Sequence, residues 1–147
     1  MKWHTIYDLS KDNRLVMQIQ KATLDTTDYG ILPEIALFGS PEWWDAVKDG
    51  RIPTYKVEGT ISKINDNIRG AWPVCEIDSN GERTEWTRYG EDAFYQVGRR
   101  ICIEYIYQRL KPSRFLKFVG DRQKVVLKVS IQINNNDDDD DDEGDYE

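Results

Sequence analysis

The chain has 147 residues and a formal net charge of −7, from 20 basic and 27 acidic side chains. Nine of these acids lie in the last eleven residues, so residues 1–136 hold 18 acids against 20 bases and carry +2. With 39% hydrophobic and 12% aromatic residues, the chain is too apolar to be disordered throughout. We expect one folded β-rich domain over residues 1–136 and a disordered acidic tail over residues 137–147.

The first residues contain no apolar run of the roughly 7–15 residues that a signal peptide requires. The most apolar stretch, residues 31–38, is short and is interrupted by Pro33 and Glu34. We therefore predict a cytoplasmic protein that does not enter a membrane. Cys75 and Cys102 lie in strand-like runs, and two reduced, buried thiols are favoured over one disulfide.

The first fifty residues predict a hairpin followed by a helix. Residues 3–9 and 14–24 have the pattern of extended runs, and the polar segment 10–13 between them indicates a turn. Residues 31–38 fit either a strand or a short helical turn. A helix is predicted from Ser40, which can cap it, through Pro41 at its first position to Gly50, which can end it.

The rest of the chain has a pattern of short strands. The Asn80-Gly81 pair predicts a tight hairpin turn in a three-stranded meander, and a single helical turn is expected over residues 91–96. The predicted strands are residues 54–64, 71–77, 83–89, 100–109, 114–119 and 124–133. We therefore predict a mainly β protein, an antiparallel small barrel or sandwich with one or two short helices.

The order of elements from residue 54 to residue 133 resembles that of the five-stranded OB-fold. Residues 95–103, Tyr-Gln-Val-Gly-Arg-Arg-Ile-Cys-Ile, carry the Val-Gly pair and alternating apolar residues that often open a barrel strand. The resemblance covers about half of the chain and implies a small β-barrel. Residues 1–50 have no counterpart in a minimal fold of that kind.

A small barrel followed by an acidic C-terminal tail is also similar to many single-stranded DNA-binding proteins, especially phage-encoded ones. That resemblance implies a tail that recruits partner proteins and competes with nucleic acid for a basic groove. Such tails commonly finish with an apolar or aromatic residue, whereas here Tyr146 is followed by Glu147.

Residues that could support catalysis are scarce. His4 is the only histidine, and no Gly-x-Ser-x-Gly motif or glycine-rich phosphate loop accompanies it. Two separated cysteines and one histidine do not make a zinc site, and the aspartate run lacks the spaced ligands of a calcium loop. We predict a protein that is not an enzyme and that needs no cofactor or metal.

Aromatic and basic side chains together form the candidate binding set, because stacking faces and phosphate-pairing cations are what single-stranded nucleic-acid binders use. The candidates are Trp44, Trp72, Trp86, Tyr89, Arg69, Arg83, Arg88, Arg99 and Arg100. The competing interpretation, which we favour, places Trp72 and Trp86 in the core and pairs the arginines with nearby acids. A charge of +2 on residues 1–136 gives only a weak attraction for phosphates.

Trp44 is a candidate for a different reason. Adjacent residues on a helix diverge by about 100°, so Trp43 can enter the core while Trp44 is left at a rim or interface. An exposed tryptophan is a candidate hot spot for a protein partner, although packing against residues 26–39 is an equal alternative.

The acidic tail allows two functional interpretations besides solvation. It could imitate a phosphate backbone for a partner, or it could compete for the arginine-rich face of its own chain. Its acidic residues include Asp137, Asp138, Asp139, Asp140, Asp141, Asp142 and Glu143.

Two function classes follow from these features. The first is a non-enzymatic binding protein that acts through protein–protein contacts, of the inhibitor, immunity or adaptor type. The alternative is an OB-like single-stranded nucleic-acid-binding protein with a regulatory tail. Nothing in the sequence indicates the oligomeric state.

Overall fold

A computed structural model describes residues 2–25, 31, 34–65, 73–109 and 122–133, with Arg122 described by its backbone alone. The described residues form six strands, two α-helices and two short 3-10 turns. The strands are β1 (Lys2–Asp8), β2 (Tyr55–Asn65), β3 (Val74–Ser79), β4 (Glu82–Thr87), β5 (Arg100–Arg109) and β6 (Arg122–Ile133). The helices are α1 (Asn13–Asp25) and α2 (Pro41–Asp49), and the 3-10 turns are Leu9–Lys11 and Asp92–Phe94.

The strands form one antiparallel sheet in the order β1-β6-β5-β2-β3-β4. A mainly β fold with two short helices is therefore confirmed. Within the described residues, β1 and β4 end the sheet and do not pair with each other, so the sheet is open. The closed barrel expected from the resemblance to the OB-fold is thus wrong.

The predicted hairpin between residues 3–9 and 14–24 is also wrong. The first run is β1, but it pairs with β6, where His4 lies opposite Ile131. The second run is helix α1, whose first turn is capped by the Asp12 carboxylate accepting a hydrogen bond from the Leu15 amide at 3.2 Å. Capping by Asp12 and burial on one helical side outweigh the alternating pattern that suggested a strand.

Helix α2 and the meander are confirmed. Ser40 caps α2 by accepting a hydrogen bond from the Trp43 amide at 3.2 Å, and Gly50 ends it with a φ of 88°. The turn between β3 and β4 has positive φ at both Asn80 (54°) and Gly81 (90°), as a tight hairpin turn requires. Residues 34–38 form neither strand nor helix, and the predicted strand 114–119 lies outside the described residues.

The chain divides into two compact units, each assembled from separate segments. The first comprises the described residues of Met1–Asp8, Lys56–Ile103 and Lys128–Glu147, and the second comprises those of Leu9–Tyr55 and Glu104–Leu127. The assignment of residues 1–136 to a single domain stays a prediction. The acidic tail lies outside the described residues.

A bulge in β1 determines which side chains enter the first unit. Thr5 and Tyr7 lie opposite the adjacent residues Ser130 and Val129, so Ile6 is an extra residue. Because of this extra residue, His4 and Tyr7 lie on the same face of the sheet. Their partners on β6, Ile131 and Val129, are both buried.

Both of these side chains contact the segment that follows β4. Tyr7 stacks on Tyr89 with ring centroids 4.7 Å apart, and His4 lies 5.8 Å from the Phe94 ring. The Tyr95 hydroxyl donates a 2.6 Å hydrogen bond to the Tyr89 carbonyl. This bond holds the two ends of the segment 89–95 together. Side chains of β1 thus contact the segment after β4, although β1 and β4 share no hydrogen-bonded ladder in the described residues.

The core of the first unit also holds Cys75, which is fully buried. Neither Cys75 nor Cys102 is in a disulfide. Burial raises the pKa of the Cys75 thiol from 9.0 to about 11, and the nearby Arg88 opposes this shift only in part.

Stability is therefore expected to fall as the pH rises from about 9 to about 11. The thiol of the unfolded chain ionises near pH 9, whereas the thiol of the folded protein keeps its proton to about pH 11. The stabilisation is therefore fully present below pH 9 and is lost as the pH rises through this range. Urea unfolding of Cys75→Ala should show a smaller fall over this range than the wild type. Cys102→Ala serves as the control, and equal falls in the wild type and Cys75→Ala would contradict the expectation.

The core of the second unit is built around Trp43 of α2, which is 1% exposed. Its ring packs against Phe38 with centroids 4.7 Å apart, and its indole N–H donates a 3.1 Å hydrogen bond to the Gln108 side-chain oxygen. Ala46, one turn further along α2, is fully buried as well. The predicted buried side of α2 is confirmed at these two positions.

No helix in the described part of the chain combines the length and the apolar character needed to cross a membrane.

Candidate protein-binding surface

Three tyrosines of the second unit form a continuous aromatic surface, which we call the tyrosine patch: Tyr55, Tyr105 and Tyr107. Tyr55 begins β2, whereas Tyr105 and Tyr107 are two residues apart on β5, and alternation along a strand places such side chains on one face. The ring centroids lie 5.3 to 5.7 Å apart in all three pairs. One pair is stacked and the other two meet edge to face, which are the favoured geometries for aromatic rings.

The tyrosine patch is open to solvent. Tyr55 is 42% exposed, and Tyr105 and Tyr107 are half-buried. The Lys124 ammonium lies 5.7 Å from the centre of the Tyr105 ring, within the range of a cation–π contact. Mutual packing already restricts the three tyrosine side chains, so they would lose little conformational entropy when a partner binds. Rigid, amphipathic aromatic groups of this kind are enriched at protein interfaces.

Trp44, a candidate from the sequence, is half-buried on α2. Its ring meets that of Trp43 edge to face, with centroids 4.8 Å apart. The prediction that adjacent tryptophans diverge is confirmed, since Trp43 is in the core and Trp44 is only half-buried. A role for Trp44 in binding stays a prediction.

The two described aromatic candidates on the meander, Trp86 and Tyr89, are packed into the first unit. Trp86 is 5% exposed, and its indole N–H donates a 2.8 Å hydrogen bond to the Thr84 hydroxyl. Tyr89 is half-buried against Tyr7. Trp86 therefore presents no open ring face for a nucleic-acid base, in keeping with its interpretation as a core residue.

The described arginines of the candidate set bond to groups of their own chain. Arg83 lies within 3.9 Å of Glu76 and 3.6 Å of Asp78, and Arg100 lies 3.1 Å from Glu58. Such ion pairs reduce the net attraction of these side chains for a phosphate backbone.

The other two described arginines of the candidate set, Arg88 and Arg99, donate hydrogen bonds to backbone carbonyls. Arg88 is 8% exposed, donates a 3.1 Å hydrogen bond to the Asn65 carbonyl and pairs with Asp92 at 3.3 Å. Arg99 donates a 3.0 Å hydrogen bond to the Phe94 carbonyl. Both guanidinium groups therefore hold the chain between β4 and β5 in place. The candidates Arg69, Trp72 and the tail residues 137–143 lie outside the described residues.

The described residues contain no group of three or more histidine, cysteine, aspartate or glutamate side chains that could hold a metal ion. His4 packs against Phe94 in the first unit, so the only histidine has an aromatic neighbour of its own.

The tyrosine patch was missed as a site at the level of sequence. The alternation along residues 100–109 predicts that Tyr105 and Tyr107 share a face, but it does not reveal that this face is open. Tyr55 joins them only through the order of strands in the sheet, in which β2 is the neighbour of β5. No local signal marks that pairing.

A comparison with family models finds a match over residues 3–132 to the immunity protein RhsI2 family. No curated protein matches the chain. The family match spans most of the chain and includes the whole tyrosine patch, both helices and four complete strands, β2 to β5. It agrees with the expectation, drawn from the scarcity of catalytic residues, of a binding protein that acts through protein–protein contacts. The chain belongs to the RhsI2 immunity protein family.

Proposed function

We propose that this immunity protein neutralises a toxin by binding it in a stoichiometric complex, and that the tyrosine patch supplies central contacts. The family match supports the role, and the three mutually packed tyrosines, one exposed and two half-buried, support the position of the contact. Inhibition by binding requires no chemistry from the immunity protein itself.

The patch has the physical properties of a binding hot spot. Each phenol ring can bury a large apolar area, while its hydroxyl can still hydrogen-bond at the edge of the contact. The flanking Lys124 can pair with an acidic group of the partner near the rim of the patch. We favour a protein partner over a nucleic acid because the family match is to immunity proteins.

We expect Tyr55→Ala and Tyr107→Ala each to weaken toxin binding by about 2 kcal/mol, the loss typical of a hot-spot residue. The measurement is isothermal titration of the chain with an inactivated form of the toxin. A second readout is the growth of cells that express the active toxin together with each variant.

Trp3→Ala is the matched control, because Trp3 is an aromatic residue with a similar exposure of 40% and lies on β1, outside the patch. The control should bind like the wild type, and thermal unfolding should show that the tyrosine variants remain folded. Unchanged binding by both tyrosine variants would rule out the patch as a central contact. Failure of the wild-type chain to bind would rule out the proposed function itself.

A further inference from the structure

Helix α1 has one side in the protein and one side in solvent. Thr23 is buried, and Leu15, Val16 and Ile19 are partly buried on the same side. With 3.6 residues per turn, positions 14, 17, 21 and 24 lie along the opposite side. All four residues there, Arg14, Met17, Lys21 and Leu24, are exposed. We call these four residues the α1 stripe.

The apolar residues of the stripe are unusually open to water. Leu24 is 69% exposed and Met17 is 65% exposed, and they are the two most exposed large hydrophobic side chains in the described part of the chain. A single exposed leucine would need no explanation. Met17 and Leu24 are seven positions apart, which is about two helical turns or roughly 10 Å along one side of the helix. That spacing suits a surface used by a partner, in the manner of interface anchors.

The charges of the stripe indicate the chemistry of that partner. Arg14 and Lys21 are basic, and the helix carries one acidic side chain, Asp25. Lys21 lies 3.5 Å from Asp25, but the two side chains are 80% and 60% exposed, so this pair is weak and easily exchanged for another. The stripe therefore presents two apolar anchors flanked by positive charge.

We propose that the α1 stripe is a second contact with the toxin, and that it takes an acidic surface with an apolar centre. This inference rests on the proposed function, which supplies the protein partner. Met17 and Leu24 would bury their apolar area at the centre, while Arg14 and Lys21 would pair with carboxylates at the rim. The charged pairs speed the encounter and orient it, and the apolar anchors slow dissociation.

The test uses the full chain and the inactivated toxin as the probe, with affinities and rates measured between about 0.05 and about 0.5 M salt. The double variant Met17→Ser with Leu24→Ser should bind about tenfold or more weakly than the wild type. This deficit should be nearly the same at low and at high salt, because the removed side chains are uncharged. The double variant Arg14→Glu with Lys21→Glu should associate about tenfold more slowly at low salt, and this deficit should shrink at high salt.

Matched controls come from exposed residues outside the stripe. Val97→Ser removes a valine that is 64% exposed, and Lys48→Glu with Lys63→Glu reverses two exposed lysines. These controls should keep wild-type affinity, and circular dichroism should show equal helix content in all variants. Wild-type affinity in both stripe variants would overturn the inference while leaving the proposed function intact.

A basic, partly apolar helix could instead contact an anionic membrane surface. Vesicles of phosphatidylglycerol are therefore a second probe. If the wild type binds them and the stripe variants lose that binding while their toxin affinity is unchanged, the toxin contact is overturned. Failure of the wild-type chain to bind the toxin would overturn the proposed function and this inference together.

Discussion

Replacing Trp43 by alanine is expected to lower the free energy of unfolding by about 3–5 kcal/mol, the cost of removing a large aromatic side chain from a core. Trp43 is 1% exposed, packs against Phe38, and donates a hydrogen bond to Gln108. The substitution leaves a cavity and also removes the donor for the Gln108 oxygen. Urea unfolding followed by circular dichroism measures the loss.

Two variants separate the contributions to this loss. Trp43→Phe removes the indole N–H but keeps an aromatic ring. It should cost less stability than Trp43→Ala, because it leaves a smaller cavity. Trp44→Ala removes the neighbouring half-buried ring and should cost less than about 2 kcal/mol. Equal losses for the Trp43 and Trp44 alanine variants would show that α2 is not anchored through Trp43.

Gly90→Ala is expected to destabilise the protein by about 2–5 kcal/mol, because two independent costs add. Gly90 has a φ of 86°, a conformation that residues with a side chain rarely adopt. A Cβ atom at this position would also lie 2.6 Å from the Ile6 carbonyl oxygen, closer than real contacts allow. Either the segment after β4 or strand β1 would have to move.

Gly98 provides a matched control for the first of these costs. Its φ of 93° is nearly the same, but nothing lies within 4 Å of a Cβ added there. Gly98→Ala should therefore cost only about 1–2 kcal/mol from the backbone conformation. The difference between the two variants in urea unfolding measures the close approach of Gly90 to Ile6. No difference would mean that this approach relaxes without cost.

Short-range signals explain which elements the sequence predicts correctly. Helix α2 is bounded by a capping serine, a proline at its first position and a terminal glycine, and all three act within a few residues. The turn at Asn80-Gly81 depends only on the positive φ that these two residues tolerate. Such elements need no information about the rest of the fold.

Helix α1 shows how a local pattern can mislead. Residues 14–24 alternate well enough to suggest a strand, yet Asp12 caps a helix and the residues toward the protein follow helical spacing. The partner of β1 is 120 or more residues away on β6, so no turn signal could have indicated it. The open sheet depends on these distant pairings and could not be read from periodicity.

The candidate binding residues divide in a similar way. The sequence places Trp86 either in the core or on a stacking surface, and only the fold shows that it is buried. The tyrosine patch depends on the juxtaposition of β2 and β5, which is not local. The acidic tail is apparent from composition alone, but its partner is not.

The extra residue in β1 also has a meaning for how sequences of this family can change. Ile6 is not needed for the ladder, since Thr5 and Tyr7 already face adjacent residues of β6, but its carbonyl oxygen is the group that leaves no room for a side chain at Gly90. A family member without this residue would keep its strand pairing and lose that obstacle. The two positions should therefore evolve as a pair, with glycine retained after β4 wherever the extra residue is retained in β1.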